Sequence, residues 1–462
     1  MFGSRGKLPP GNMGIPYVGD TFPMLKDSAL AVNKPKLAKY GPIFKVWLLG
    51  EKHIYVASQQ SVIKVLNGEH DIVEGDWPKS VVELLGAQSV PCTYGSTHAA
   101  LRKAVQPAFT PKAVASYVPD MVQMAETCGE KWAAQQDITA YDAVKEYTFV
   151  IILRIILGFD ESLTSEAAIK RITQVFKDWT EGLFSIPLYL PGTAYYKALQ
   201  GRRELLGLIQ QNMDLLRAQV QKGEAGLQPG GRTTCGRMML DATDEEGKPL
   251  TDTQLKDVFL SLMFAGHDTS ASTIMCLFNE LYKHPEVLQK LRDEQSSIRR
   301  ERGDKIDDGA LQDMKYADAV IKEMMRTIPV VKYVFRRAQR DFELEGYLIP
   351  KGWKLAVLIY NVLANDSRWQ GVTGDLAADK FNPDRWLGEE GKRVGGHIPF
   401  GSGPRMCLGY ILATAEIKVM LAVLARGFEW TVDNPNEELN VFPLPRYVDG
   451  LPMKLRKLAR EG

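Results

Sequence analysis

Residues 400–409 read Phe-Gly-Ser-Gly-Pro-Arg-Met-Cys-Leu-Gly, a loop whose chemistry centres on one thiol. Gly401, Gly403 and Pro404 set turns that ordinary side chains resist, and Gly409 lets backbone pass close to something flat. Cys407 sits inside this frame with Arg405 two residues before it, and 410–426 follows as a helix-like stretch rich in Ala, Leu, Ile and Val. A thiolate held just ahead of a helix N-terminus gains from the dipole and from the first amides. It is then a soft anionic ligand for iron, and cysteine thiolate is one of the axial ligands of haem. A cysteine by itself more often reads as a small buried hydrophobe. The glycine frame and the arginine set this one apart.

A second constellation interrupts an apolar run, where 264–270 read Phe-Ala-Gly-His-Asp-Thr-Ser. Ala265 and Gly266 have almost no side chain, so a flat ligand or a small gas molecule can approach the backbone. Asp268 and Thr269 place an acid and a hydroxyl one turn further along. A threonine hydroxyl can take the i−4 carbonyl and open the helix locally, making room for water. Standing alone, these residues read equally well as a polar patch at a helix–helix contact.

Two weaker patterns accompany them. Glu323 and Arg326 are spaced i, i+3 on one helix face, a pair worth little if it is exposed. His98 and Arg102 stand i, i+4 at a helix start in Gly-Ser-Thr-His-Ala-Ala-Leu-Arg at 95–102, and the histidine supplies a ring N–H donor.

Taken in chain order, these motifs resemble the cytochrome P-450 family. Phe-Gly-x-Gly-x-Arg-x-Cys-x-Gly is similar to its haem-binding signature, Ala-Gly-x-Asp-Thr to its oxygen-activation motif, and Glu-x-x-Arg to its conserved helix pair. The resemblance runs from Leu-Pro-Pro-Gly at 8–11 to Asp-Gly-Leu-Pro at 449–452. With Pro-Leu-Tyr-Leu-Pro-Gly at 187–192, followed by Tyr195 or Tyr196 and Arg202, the chain looks most like one branch. That branch holds animal and cyanobacterial retinoid hydroxylases and plant steroid-hormone or abscisic-acid hydroxylases.

The resemblance implies a mainly α fold with a minor β part and a haem b between the long central helix and the Cys loop. Cys407 is then the axial iron ligand, and Ala265, Phe400 and Gly409 are cofactor-binding. Haem propionates need cationic or hydrogen-bonding partners when buried. The family pattern gives that task to Arg405, Arg336, Arg102 and His98. Arg337 competes with Arg336, and His98 stands where many relatives have Trp. Arg385, in Phe-Asn-Pro-Asp-Arg-Trp at 381–386, completes a structural triad with Glu323 and Arg326, where bidentate geometry makes Lys a poor substitute.

The implied activity is monooxygenation, RH + O2 + two electrons + two protons giving ROH + H2O, with Asp268 and Thr269 supplying protons. No flavin or iron–sulfur motif is present, so electrons come from an NADPH-dependent reductase or a ferredoxin. The implied substrate is a lipophilic terpenoid, retinoid or sterol-like molecule. By the same analogy its pocket draws on 77–90, 176–190, 261–265, 330–334 and the turn at 441–443. Two other functions compete: a haem-thiolate isomerase or dehydratase acting on a pre-oxidised lipid, and a non-catalytic haem or lipid carrier. The retained Asp-Thr pair and Cys loop argue against both.

Composition narrows the setting. Lys plus Arg number 57 against 56 Asp plus Glu in 462 residues, a net charge of +1 that makes no electrostatic case for nucleic acid. The basic tract at 454–460 reads as a solvated face. Five scattered cysteines lack C-x-x-C or zinc spacing and suit an intracellular, reducing compartment. The N-terminus lacks the apolar core of a signal peptide, and the apolar run at 149–159 is broken by Arg154 and too short to span a bilayer. The expected form is either soluble and plastid-type or membrane-associated with an anchor absent from this chain, since 8–11 is similar to the proline hinge that follows the anchor in membrane-bound relatives. Peripheral membrane contact is a further expectation.

No linker divides the chain, which reads as one domain over 1–462, β-rich to about residue 95 and mainly helical from 96. Strands are expected at 43–49 and 53–57 about the turn at 50–52, and at 342–348 and 354–360. Helical periodicity covers 113–135, 141–157, 165–184, 195–222, 252–284 and 317–328. The stretch 185–192 breaks two of these helices, and the glycine-rich 223–234 reads as a loop.

Overall fold

The computed structural model describes residues 6–26, 29–48, 50–222, 227–228, 232–393, 395–441 and 443–458. Parts of the 223–234 loop, Phe442 in the 441–443 turn and the end of the 454–460 tract lie outside these residues. Two compact units share the chain: Met1–Asp76, Ala319–Cys407 and Glu438–Arg446 form the first, and Trp77–Asp318, Leu408–Glu437 and Tyr447–Gly462 the second.

The first unit is built on a five-stranded sheet in the order Ile43–Leu48, Glu51–Val56, Lys354–Leu358, Tyr333–Ala338, Val73–Gly75. Its first two strands form the expected hairpin, with Gly50 at φ 79° in the turn. Lys354–Leu358 pairs parallel to Glu51–Val56 and antiparallel to Tyr333–Ala338. Strand alternation sorts the side chains into two cores. Ile54, Val56, Leu355 and Val357 pack with Val62, Val65 and Leu66 on one face, while Phe44, Tyr55, Ala356 and Leu358 pack together on the other. Each fully buried aliphatic contributes roughly 1.5–3 kcal/mol. Coverage on both faces explains why these strands are nearly continuous apolar runs.

Helices Ala29–Tyr40, Gln59–Asn67 and Lys79–Leu85 lie within the first 95 residues alongside the expected strands. The expected 342–348 strand is a hairpin instead, Phe342–Leu344 with Tyr347–Ile349. Glu345 and Gly346 take positive φ at its turn and break the run.

The second unit is helical, with Pro111–Gln135, Ala140–Val150, Glu166–Leu183, Ala194–Gln221, Asp252–Lys283 and Tyr410–Gly427 as its main members. Their boundaries follow local chemistry. Thr110 caps the first through Ala113 N at 3.3 Å, with Pro111 at the first helical position. Thr251 and Gln254 form a reciprocal capping box that starts Asp252–Lys283. Helix Ala140–Val150 continues as a wider turn over Ile151–Ile156, where Leu157 N bonds Ile152 O at 2.9 Å. Tyr410–Gly427 is buried on almost every side, which accounts for its unbroken apolar composition. A small sheet of Phe428–Val432, Pro452–Lys457 and Asp137–Thr139 closes the unit. Among the described residues, no helix is long and apolar enough to cross a membrane.

Candidate active site

Within the first unit the Cys loop is a succession of tight turns. Gly401 and Gly403 adopt φ of 75° and 72°. A Cβ on Gly403 would stand 2.4 Å from Leu66 O, so the loop presses against the end of helix Gln59–Asn67. Ser402 Oγ donates to Asn67 Oδ1 at 2.8 Å, and Cys407 N donates to Phe400 O at 2.9 Å. Phe400 thus serves the loop through its carbonyl. Cys407 is exposed, whereas Cys92, Cys128, Cys235 and Cys276 are buried. Of the five thiols, Cys407 is therefore the accessible one.

Arg405 and Arg336 meet on a residue that sequence reasoning missed. The buried Glu69 carboxylate pairs through Oε1 with Arg405 Nε and through Oε2 with Arg336 Nε at 2.9 Å. Burial holds the Arg336 guanidinium below its usual range, opposed by Glu69. Its neighbour Arg337 points to the other side of the strand, as alternation requires, and pairs with Asp76 at 3.0 Å. The two arginines that compete for one role thus face different acids on opposite sides of the strand. Nothing local in the sequence marks Glu69, which reaches Arg405 across 336 positions.

The Glu323, Arg326 and Arg385 side chains come together as expected, all of them buried. Arg326 donates twice to Glu323 at 2.9 Å, and Arg385 Nε donates to Oε1 at 2.8 Å. Trp386 Nε1 and Asn382 N add further donors, each at 2.9 Å. The sequence had suggested only the first three.

In the second unit, Ala265, Asp268 and Thr269 lie mid-way along Asp252–Lys283. Ala265 is exposed, and Thr269 Oγ1 donates to Ala265 O at 2.7 Å, the expected back-bond. On its side-chain side Gly266 packs closely on the Ile151–Ile156 turn, where a Cβ would meet Ile152 Cδ1 at 2.9 Å. Asp268 is buried and pairs with Lys145 Nζ at 3.0 Å, a partner the sequence did not disclose. His267 beside it is wholly buried against Phe149 and Phe176, and Thr148 Oγ1 lies 2.9 Å from its Nδ1. Burial pushes its imidazole down to about 3, so it is neutral.

One turn beyond, Ser270 Oγ hydrogen-bonds the buried Glu416 carboxyl. Burial pushes that carboxyl up to about 8, so it carries its proton at neutral pH. The unfolded chain ionises Glu416 near the ordinary 4.5, so stability is lost as pH rises from about 4.5 towards 8. Glu416→Gln removes this dependence. It should raise unfolding stability more at pH 8 than at pH 5, by up to about 1.4 kcal/mol per pH unit crossed. Urea titrations at both values test this, and an equal effect at the two pH values rejects it.

His98 and Arg102 lie one turn apart on Gly95–Val105, the histidine buried and the arginine half-buried. Gly409 immediately precedes Tyr410–Gly427 and lies 3.8 Å from the Phe109 ring, measured from an ideal Cβ. Polar clamps tie together two of the segments expected to line a pocket, 77–90 and 176–190. Arg202 bonds Leu84 O and Asp257, Trp179 Nε1 bonds Leu84 O, and Ser80 Oγ bonds Leu183 O.

The donor set fits a haem: one exposed thiol for iron, and two buried guanidinia of the kind that buried carboxylates require. Comparison with known proteins agrees. The family profile described as Cytochrome P450 matches residues 9–456. Cytochrome P450 26A1 of Xenopus laevis is 32% identical, covering 97% of this chain and 90% of its own. Abscisic acid 8'-hydroxylase 1 of Arabidopsis thaliana is 31% identical, covering 98% and 92%. The solved structure of retinoic-acid-bound cyanobacterial CYP120A1 superposes with a TM-score of 0.86 at 29% identity, covering 98% of this chain and 100% of that one. The chain belongs to the cytochrome P450 family of haem-thiolate monooxygenases.

Proposed function

We propose that this protein hydroxylates a lipophilic terpenoid, retinoid or sterol-like molecule at a haem ligated by Cys407. The observation that carries the reading is the exposed Cys407 thiol, held by glycine turns that only this kind of loop requires. The substrate class is supported by two relatives: the solved neighbour holds retinoic acid, and the plant enzyme is an abscisic acid hydroxylase. When bound, thiolate-ligated haem supplies the activation of O2. Arg336, Arg405, Arg102 and His98 would hold its carboxylates, while Ala265, Phe400 and Gly409 would contact it. Glu323, Arg326 and Arg385 brace the segment before the Cys loop.

The chain itself moves the protons. Thr269 Oγ1 donates to Ala265 O at rest and turns to a passing acceptor, and Asp268 replenishes it after exchanging its Lys145 partner. Electrons arrive from an NADPH-dependent reductase or a ferredoxin. The exposed Ile186, Leu188, Tyr189 and Leu190 support a peripheral membrane contact. The chain passes repeatedly between its two units, which supports a single functional domain over the whole length. A difference spectrum across a panel of isoprenoids, retinoids and sterols tests the substrate class; binding confined to small polar molecules rejects it.

Thr269→Ala and Asp268→Asn should keep haem and substrate binding while cutting product formation about 10²–10⁴-fold. NADPH consumption should continue, with peroxide or water released in place of product. Product and NADPH measured together decide the matter. A normal yield per NADPH in both variants makes this motif a packing device.

A further inference from the structure

We propose that Glu69 is a positioning residue that sets Arg336 and Arg405 as a two-pronged receptor for the haem carboxylates. The inference rests on the reading above that these arginines hold the cofactor. The Glu69 side chain is fully buried and divides its carboxylate, one oxygen to each guanidinium. Oε1 also accepts Gly75 N at 2.9 Å, which fixes the carboxylate to the edge strand Val73–Gly75. Gly75 itself is part of the device. A Cβ there would stand 2.8 Å from Arg405 Cζ, so only glycine lets the guanidinium lie against this strand.

Charge explains why a shared acid suits the task. Two buried guanidinia side by side repel, and the repulsion is strong where water is excluded. One carboxylate between them holds both in place yet leaves the trio with one net positive charge, which an incoming carboxylate can use. Arg337 and Lys354 on the neighbouring face are arranged differently. They share both Asp76 and Glu51, two acids for two bases. A residue that orients the groups holding a cofactor typically changes affinity about 10–100-fold when removed.

The experiment compares the holoenzyme with Glu69→Gln, Arg336→Leu and Arg405→Leu in two measurements: haem release to excess haem-free myoglobin, and the iron midpoint potential. Glu69→Gln is expected to release haem about tenfold faster and to raise the potential, because a negative charge has left the cofactor's surroundings. A pocket merely loosened would admit water, favour the ferric state and lower the potential. A fall or an unchanged potential therefore overturns the proposal. Fast release in both arginine variants with wild-type behaviour in Glu69→Gln overturns the role of Glu69 alone. Wild-type release in both arginine variants overturns the carboxylate-binding reading and this inference with it. Should Glu69→Gln fold poorly, Glu69→Asp keeps the charge but is one methylene too short to reach both arginines. It is expected to release haem faster at near-native potential, and native retention overturns the proposal.

Discussion

Cys407→Ser should abolish monooxygenation and erase the red-shifted Soret band that a thiolate-ligated, reduced haem shows with carbon monoxide. A serine hydroxyl is neither soft nor anionic at neutral pH, so the electron release that favours O–O cleavage disappears. No other thiol can take its place. The remaining four cysteines are buried, and burial pushes the Cys128 and Cys235 thiols up to about 12. The glycine turns survive the substitution, since Gly401 N is held by Ile398 O at 2.9 Å and Gly403 packs against Leu66 and Asn67, none of which involves the thiol. Some haem should therefore remain bound while activity is lost. The carbon monoxide spectrum of both proteins checks this. An imidazole-type band in the unaltered protein would sink the assignment of Cys407.

Arg385→Ala should fail before chemistry begins, by loss of folded haem protein. Its guanidinium donates to Glu323, to Leu376 O and Ala377 O at 2.9 and 3.0 Å, and to Lys380 O at 2.9 Å. Arg326 donates to Ala378 O and again to Lys380 O. The triad thus stitches the carbonyls of 376–380 to helix Lys315–Thr327. Removing one member leaves a buried carboxylate short of a donor and several carbonyls unsatisfied, a cost of roughly 3–5 kcal/mol. That is a large share of the ~5–15 kcal/mol that holds a typical domain together. Arg385→Lys should recover little, because one ammonium cannot span the acid and three carbonyls. Haem content and thermal unfolding report the outcome. Full haem incorporation at unchanged melting temperature would refute the structural role.

The helices that were legible in the sequence, among them 113–135 and 252–284, carry local signals. Thr251 and Gln254 stand three residues apart, Pro111 follows Thr110 directly, and the 3.6-residue apolar period needs only one face to be read. Phe428–Val432 and Pro452–Lys457 escaped because short strands acquire their meaning from partners, and these two are 20 or more residues apart in sequence. The packing at Gly266 was hidden for the same reason, since only the folded structure shows Ile152 filling the space beside it.

The site divides along the same line. Cys407, Arg405 and the Asp268-Thr269 pair could be read from residue types at fixed short spacing, because backbone geometry and ligand chemistry act over a few residues. Glu69, Lys145, Trp386 and Glu416 could not. Each is an ordinary residue type in an ordinary neighbourhood, and its importance comes from being buried against a charge or a polar group brought from elsewhere in the chain. The sequence by itself determined which groups can do the chemistry and which local frames hold them. Tertiary structure alone decided which acid stands against which base, because the strength of a charge pair depends on distance and on the exclusion of water.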